Sequence, residues 1–190
     1  MPTMWPWGHA AVGYLLYTAY RRSRFDLRPH GVAVVALAVG TQLPDLIDKP
    51  LAWQFAILPN GRSFGHSLLV ATALLLALWL VARRLDARES AAAFGIGYLG
   101  HLFGDALYPA LAGEFHYVGF LGWPLIPAIE YELATGGFLD HLFALDLGPL
   151  AVFELGLTVV AAALWYRHGL PGLGVLLPGD SESTPEERPE

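Results

Sequence analysis

The sequence predicts an all-α, polytopic transmembrane helix bundle of about five spans with an outer interfacial loop. Three observations carry this. Apolar residues make up 55% of the chain and charged residues only 15%, where a soluble domain carries about 25% charged. The mean hydropathy is positive, at +0.46. The apolar residues gather in five runs, and most of the arginines fall in the gaps between them.

The third run is the clearest. His66 to Arg84, HSLLVATALLLALWLVARR, supplies the roughly 20 apolar residues needed to cross a bilayer, with Arg83 and Arg84 able to snorkel at its end. Pro149 to Tyr166 is equally apolar apart from Glu154, and Ala91 to Ala112 is apolar apart from His101 and Asp105; these are the fifth and fourth spans. Trp5 to Tyr20 and His30 to Ile47 are shorter runs. They become the first and second spans, with Trp5, Trp7 and Tyr20 as interface markers.

The arginines orient the bundle, because short cytoplasmic loops carry excess Lys and Arg. Arg21, Arg22, Arg24 and Arg28 follow the first span, Arg83, Arg84 and Arg88 follow the third, and Arg167 follows the fifth. The opposite face holds only Lys49 and Arg62. The expectation is a multi-pass cell-membrane protein with its N-terminus outside and its C-terminus in the cytoplasm. Met1 to His9 offers no basic start for a signal peptide, so the N-terminus is expected to be retained. Residues 1–177 form the membrane-embedded domain. Residues 178–190, which carry five of the acids among Pro and Ser, read as a disordered cytoplasmic tail. The outer connection from Gly113 to Gly148 is rich in aromatics and reads as an interfacial loop with short helical pieces.

Composition excludes several chemistries. The chain has no cysteine, so disulfides, thiolate zinc sites and a Cys nucleophile are ruled out while His, Asp and Glu stay available as ligands. No basic stripe exists to neutralise a phosphate backbone, so nucleic acid is not an expected partner.

This topology gathers ionisable groups at the outer end. His9 opens the first span, Asp45 and Asp48 close the second beside Pro44, which is expected to end that helix, and His66 opens the third. Asp105 lies about 10 Å below the outer end of the fourth span at 1.5 Å per residue, with Glu154 at a comparable depth in the fifth. A charged residue at the centre of a membrane helix costs roughly 2.5–3.5 kcal/mol on insertion scales, so these groups need compensation, and a bound cation supplies it. His101 and Asp105, four residues apart, share a helix face and can ligate one ion. Glu154 is a candidate bundle-internal contact. His116, Glu130 and His141 fall in the outer loop, and His30 and His168 fall on the cytoplasmic face.

The order of these motifs resembles a family of bacterial inner-membrane, YdjM-like proteins described as membrane-bound metal-dependent hydrolases. The segments are Gly8-His9, Leu43-Pro44-Asp45-Leu46-Ile47-Asp48, Gly61-Arg62-Ser63-Phe64-Gly65-His66-Ser67-Leu68, and Gly97-Tyr98-Leu99-Gly100-His101-Leu102-Phe103-Gly104-Asp105. The resemblance implies metal ligands at His9, Asp45, Asp48, His66, His101 and Asp105, with Asp48, Arg62 and Ser67 as the candidates for the chemistry beside the metal. The chain departs from the family at Lys49 and Gly61, where His is common, which implies fewer metals or another metal. The same order is similar to that of zinc-dependent phospholipases C, although no HxxxE follows. A divalent metal is implied, zinc first because imidazole suits it, with manganese or iron as alternatives. The expected activity is hydrolysis of a phosphoester of a lipid or lipid-linked substrate at the outer face, with Arg62 as a phosphate clamp. An ion or proton transporter and a non-catalytic membrane scaffold are the competing readings.

Overall fold

The computed structural model describes residues 4–129 and 148–177. Glu130, His141, the remainder of the outer loop and the tail of residues 178–190 lie outside the described residues. Among the described residues the structure is helical, without strands.

Helix α1, Pro6–Phe25, begins on a proline, whose missing N–H costs nothing in the first turn. It ends at Asp26, which takes a left-handed conformation, with Arg22 and Arg24 beside the negative end of the helix dipole. Helix α2, Gly31–Lys49, runs straight through Pro44. The sequence expectation that Pro44 ends this helix is therefore corrected. Pro44 gives up one helical hydrogen bond, but in a bundle neighbouring helices hold such a turn in place, and here Gly40, one turn earlier, packs directly on the α4 backbone. A π-helical turn, Pro50–Gln54, continues α2.

Ser67 caps helix α3, Leu68–Arg84, accepting from the N–H groups of Leu69 and Val70. Helix α4, Arg88–Leu111, follows after a short turn. It is the hub of the bundle, packed against α1, α2 and α3. A 3-10 element, Phe115–Gly122, leans on α3 and α4. Helix α5, Pro149–Arg167, packs on α1, and the short α6, Leu173–Leu176, on α2.

Small residues let the central helices touch. A Cβ on Gly40 would stand 2.3 Å from the Phe94 carbonyl oxygen, and one on Gly97 would stand 2.5 Å from that of Leu37. Close backbone approach of this kind is how helices associate where lipid removes the hydrophobic drive. The outward faces are apolar: Leu76, Leu80 and Val81 on α3 and Val152, Phe153 and Val159 on α5 are all exposed.

Among the described residues two helices are long and apolar enough to cross a membrane by length and composition, Gly31–Gln54 and Pro149–Arg167. That is fewer than the five spans expected. Helix α3 has only 17 residues, about 25 Å at 1.5 Å per residue against a hydrocarbon core of about 30 Å. Helix α4 is long enough, at 24 residues, but it carries the buried His101 and Asp105.

One polar network closes the arginine-rich end. Arg21 Nη1 lies 2.6 Å from Glu89 Oε1, which also accepts from the Tyr17 hydroxyl at 2.8 Å, and His30 Nε2 lies 3.3 Å from Glu89 Oε2. Beyond α5, His168 Nδ1 meets the Tyr14 hydroxyl at 2.8 Å. Partial burial, and then the charges of Arg28, Arg167 and Arg22, hold this imidazole below its usual range.

Candidate metal centre

At the other end, Asp45, His66, His101 and Asp105 come together, all buried, with one ligand atom from each lying within 4.8 Å of the others. Helix α2 supplies Asp45, the loop before α3 supplies His66, and α4 supplies His101 and Asp105 one turn apart.

The hydrogen bonds fix the tautomers. His101 Nδ1 lies 2.8 Å from the Thr41 carbonyl oxygen, which can only accept, so Nδ1 carries the proton and Nε2 presents a lone pair. His66 Nδ1 lies 2.8 Å from Asp48 Oδ2, which accepts its proton, so the neutral ring would offer Nε2 to a metal. The two Nε2 atoms face each other at 3.1 Å. At that distance either a proton on one nitrogen bridges the pair as a hydrogen bond, or a metal ion that displaces this proton binds both.

The remaining distances define the space. His66 Nε2 stands 3.5 Å from Asp45 Oδ1 and 3.2 Å from Asp105 Oδ2, while His101 Nε2 stands 3.8 Å from each of these oxygens. An ion held tetrahedrally at about 2.0–2.1 Å places its ligands roughly 3.3–3.4 Å apart, so the spacings that involve the two imidazole nitrogens suit a zinc-sized ion. Asp45 Oδ1, buried and without a hydrogen-bond partner, is the orphaned acceptor such an ion would satisfy.

His9 stands beside this group. Its ring stacks on that of His101 with centroids 3.7 Å apart, and its Nε2 lies 3.5 Å from Asp105 Oδ1, the oxygen turned away from the four-atom cluster. Both ring nitrogens are buried without a hydrogen-bond partner.

Asp48 is placed differently from a ligand. Its two oxygens accept from the backbone N–H groups of Ser63, Gly65 and His66 and from His66 Nδ1. It folds the loop and aims His66. Arg62 Nη2 donates to Asp105 Oδ1 at 2.9 Å, and its guanidinium lies over the Phe120 ring. The Ser67 hydroxyl is committed to the α3 cap and to the Trp123 carbonyl, pinning the 3-10 element over the site. Glu154 lies apart, binding the Trp5 N–H and the Tyr108 hydroxyl. His116 is exposed against Tyr117.

A family model described as YdjM inner membrane protein matches residues 4–168. The chain belongs to that family. No curated protein and no solved structure was found to match it. In this YdjM-family chain His9, Asp45, Asp48, Arg62, His66, His101 and Asp105 lie together at one end of the bundle. Several contributors escape sequence reading. The Thr41 carbonyl is backbone and leaves no residue-type signal. Tyr98, whose hydroxyl donates to the Gly65 carbonyl, and Asn60, which bonds the Arg62 N–H and the Ile129 carbonyl, read as an ordinary aromatic and a loop residue. Lys49 was detectable, since it lies one helical turn after Asp45.

Proposed function

We propose that the protein is a membrane-embedded, metal-dependent hydrolase that cleaves a phosphoester of a lipid or membrane-associated substrate at the outer face of a five-span bundle. One observation carries the reading: two imidazole nitrogens and two carboxylate oxygens, all buried, converge within 4.8 Å of one another beside two cationic side chains. When bound there, a zinc-like ion lowers the pKa of water and polarises a phosphoryl oxygen. His66, His101, Asp45 and Asp105 hold it; Asp48 and the Thr41 carbonyl orient the imidazoles. Each carboxylate keeps one oxygen on a cation, Asp45 on Lys49 and Asp105 on Arg62, so each would bind the ion through a single atom; four such ligands complete a tetrahedron, and water or substrate would join by expansion to five-coordination or by displacing one carboxylate oxygen. Arg62 brings the charge and the forked donors that suit a phosphate.

A relay across the membrane is disfavoured by distance. Glu89 precedes His101 by twelve residues in α4, about 18 Å along the axis, and no acid, base or His lies on α4 between them. A purely structural ion is the second reading, because the four ligands are buried and Phe120 covers His66 with ring centroids 5.8 Å apart. Metal analysis of detergent-purified protein, with phosphodiester and phosphomonoester lipids as substrates, separates the readings. Metal with metal-dependent turnover supports the hydrolase. Metal whose removal lowers thermal stability, with no turnover on any such lipid, favours the structural ion, and absence of metal after reloading sinks both.

A further inference from the structure

The donor atoms at this end can be sorted by what already holds them. Asp45 and Asp105 each have two oxygens, but only Asp45 Oδ1 and Asp105 Oδ2 face the two Nε2 atoms. Asp45 Oδ2 is bound by Lys49 Nζ at 2.6 Å, and Asp105 Oδ1 by Arg62 Nη2 at 2.9 Å. Both cations are themselves largely buried, with side chains 16% and 9% exposed. Asp48 is filled by one side-chain and three backbone N–H groups. The outer oxygen of each carboxylate, the atom a second ion would share, is thus already engaged by a cationic nitrogen, which competes with and repels a second cation there. The neighbouring donor without a hydrogen-bond partner is His9, and one imidazole does not hold an ion.

Charge points the same way. Asp45, Asp48 and Asp105 against Lys49 and Arg62 leave one negative charge with the imidazoles neutral. One divalent ion turns this into one positive charge, which a single hydroxide or phosphoryl oxygen balances. Two ions would leave three positive charges in a buried site, where uncompensated charge is most costly.

We infer that the centre takes a single divalent cation, and that Lys49 and Arg62 occupy the positions of a second one, each holding the outer oxygen of one metal-binding carboxylate. This rests on the metal-centre reading above and deepens it by assigning the count and the two side chains that set it. Both stay on their carboxylates by charge-assisted hydrogen bonds.

Cobalt(II), a spectroscopic substitute for zinc, provides the test on the full-length protein in detergent. Reloaded with excess cobalt and desalted, the parent should hold one cobalt per chain with the spectrum of an isolated ion. The Lys49→Met, Arg62→Met double variant keeps the side-chain stems and removes both charges. It should keep the first cobalt, which reports that the site is folded, and take up a second, weaker one through Asp45, Asp105 and His9, with magnetic coupling between the two. Two cobalt ions in the parent, or a coupled pair there, would overturn the inference while leaving the hydrolase proposal intact. A double variant that stays at one cobalt at saturation overturns the part given to Lys49 and Arg62. A parent that binds none overturns the metal centre itself.

Discussion

Asp48 Oδ2 lies 2.8 Å from His66 Nδ1, and the same carboxylate gathers the backbone N–H groups of Ser63, Gly65 and His66. One side chain on α2 thus shapes a loop 15 to 18 residues away in sequence and fixes the tautomer of the imidazole that loop carries. Asp48→Asn keeps the shape but presents an amide NH2 to donors. Metal affinity should fall about 10- to 100-fold, as for other residues that orient a ligand, measured by competition with a chromophoric chelator. Unchanged affinity would mean that the loop holds His66 without Asp48.

His101 contributes an atom to the metal directly, so His101→Ala should weaken binding beyond the roughly 100-fold limit of orienting residues and leave membrane insertion intact. The control must be chosen with care. Leu102, on a neighbouring face of α4, is 2% exposed and packed with Tyr98 and Ala71, so its truncation costs about 2–5 kcal/mol of packing. Phe103, exposed on the bundle surface, is the sound one: Phe103→Ala should keep metal content at the parent level by elemental analysis.

Glu154 ties α5 to the start of α1 and to α4 through the Trp5 N–H and the Tyr108 hydroxyl. Glu154→Ala strands both donors, and each buried unsatisfied donor costs about 1–3 kcal/mol. Thermal unfolding in detergent should shift down, with metal stoichiometry preserved in the folded fraction. Loss of metal at unchanged stability would instead assign Glu154 to the site.

Gly40 lies where α2 crosses α4. The Phe94 carbonyl and the Tyr98 N–H both belong to backbone and cannot swing aside from an added Cβ. Gly40→Ala should destabilise the protein by about 1–3 kcal/mol, the usual cost of overpacking. Gly174→Ala, with nothing within 4 Å of the added carbon, should be close to neutral in the same unfolding assay.

The five-span topology can be checked with single cysteines, since the chain has none. Asn60, a natural choice in the loop, is buried and bonded to Ile129; Ile57, 68% exposed, is the better probe. In intact cells Ile57→Cys should react with an impermeant thiol reagent, while Ser23→Cys and Ser90→Cys should not. Equal labelling at all three would sink the orientation and with it the outer-face substrate.

The sequence by itself determined that the chain is helical, that it belongs with membrane proteins, and which motifs matter, because hydropathy and residue type are local properties that survive without coordinates. It also brought His66, His101, Asp45 and Asp105 to one end, since helices joined by short connections alternate in direction and leave little choice about which helix ends meet. Tertiary structure decided the division of labour among them. Asp45 and Asp48 are three residues apart on one helix, yet one aims an oxygen at the cluster and the other is consumed by a loop. Arg62 and Lys49 looked like a phosphate clamp and a motif departure, and both proved to hold carboxylates. These outcomes depend on which donor reaches which lone pair within about 3 Å. Distances of that kind between segments far apart in the chain are fixed by packing and leave no periodic trace in the sequence.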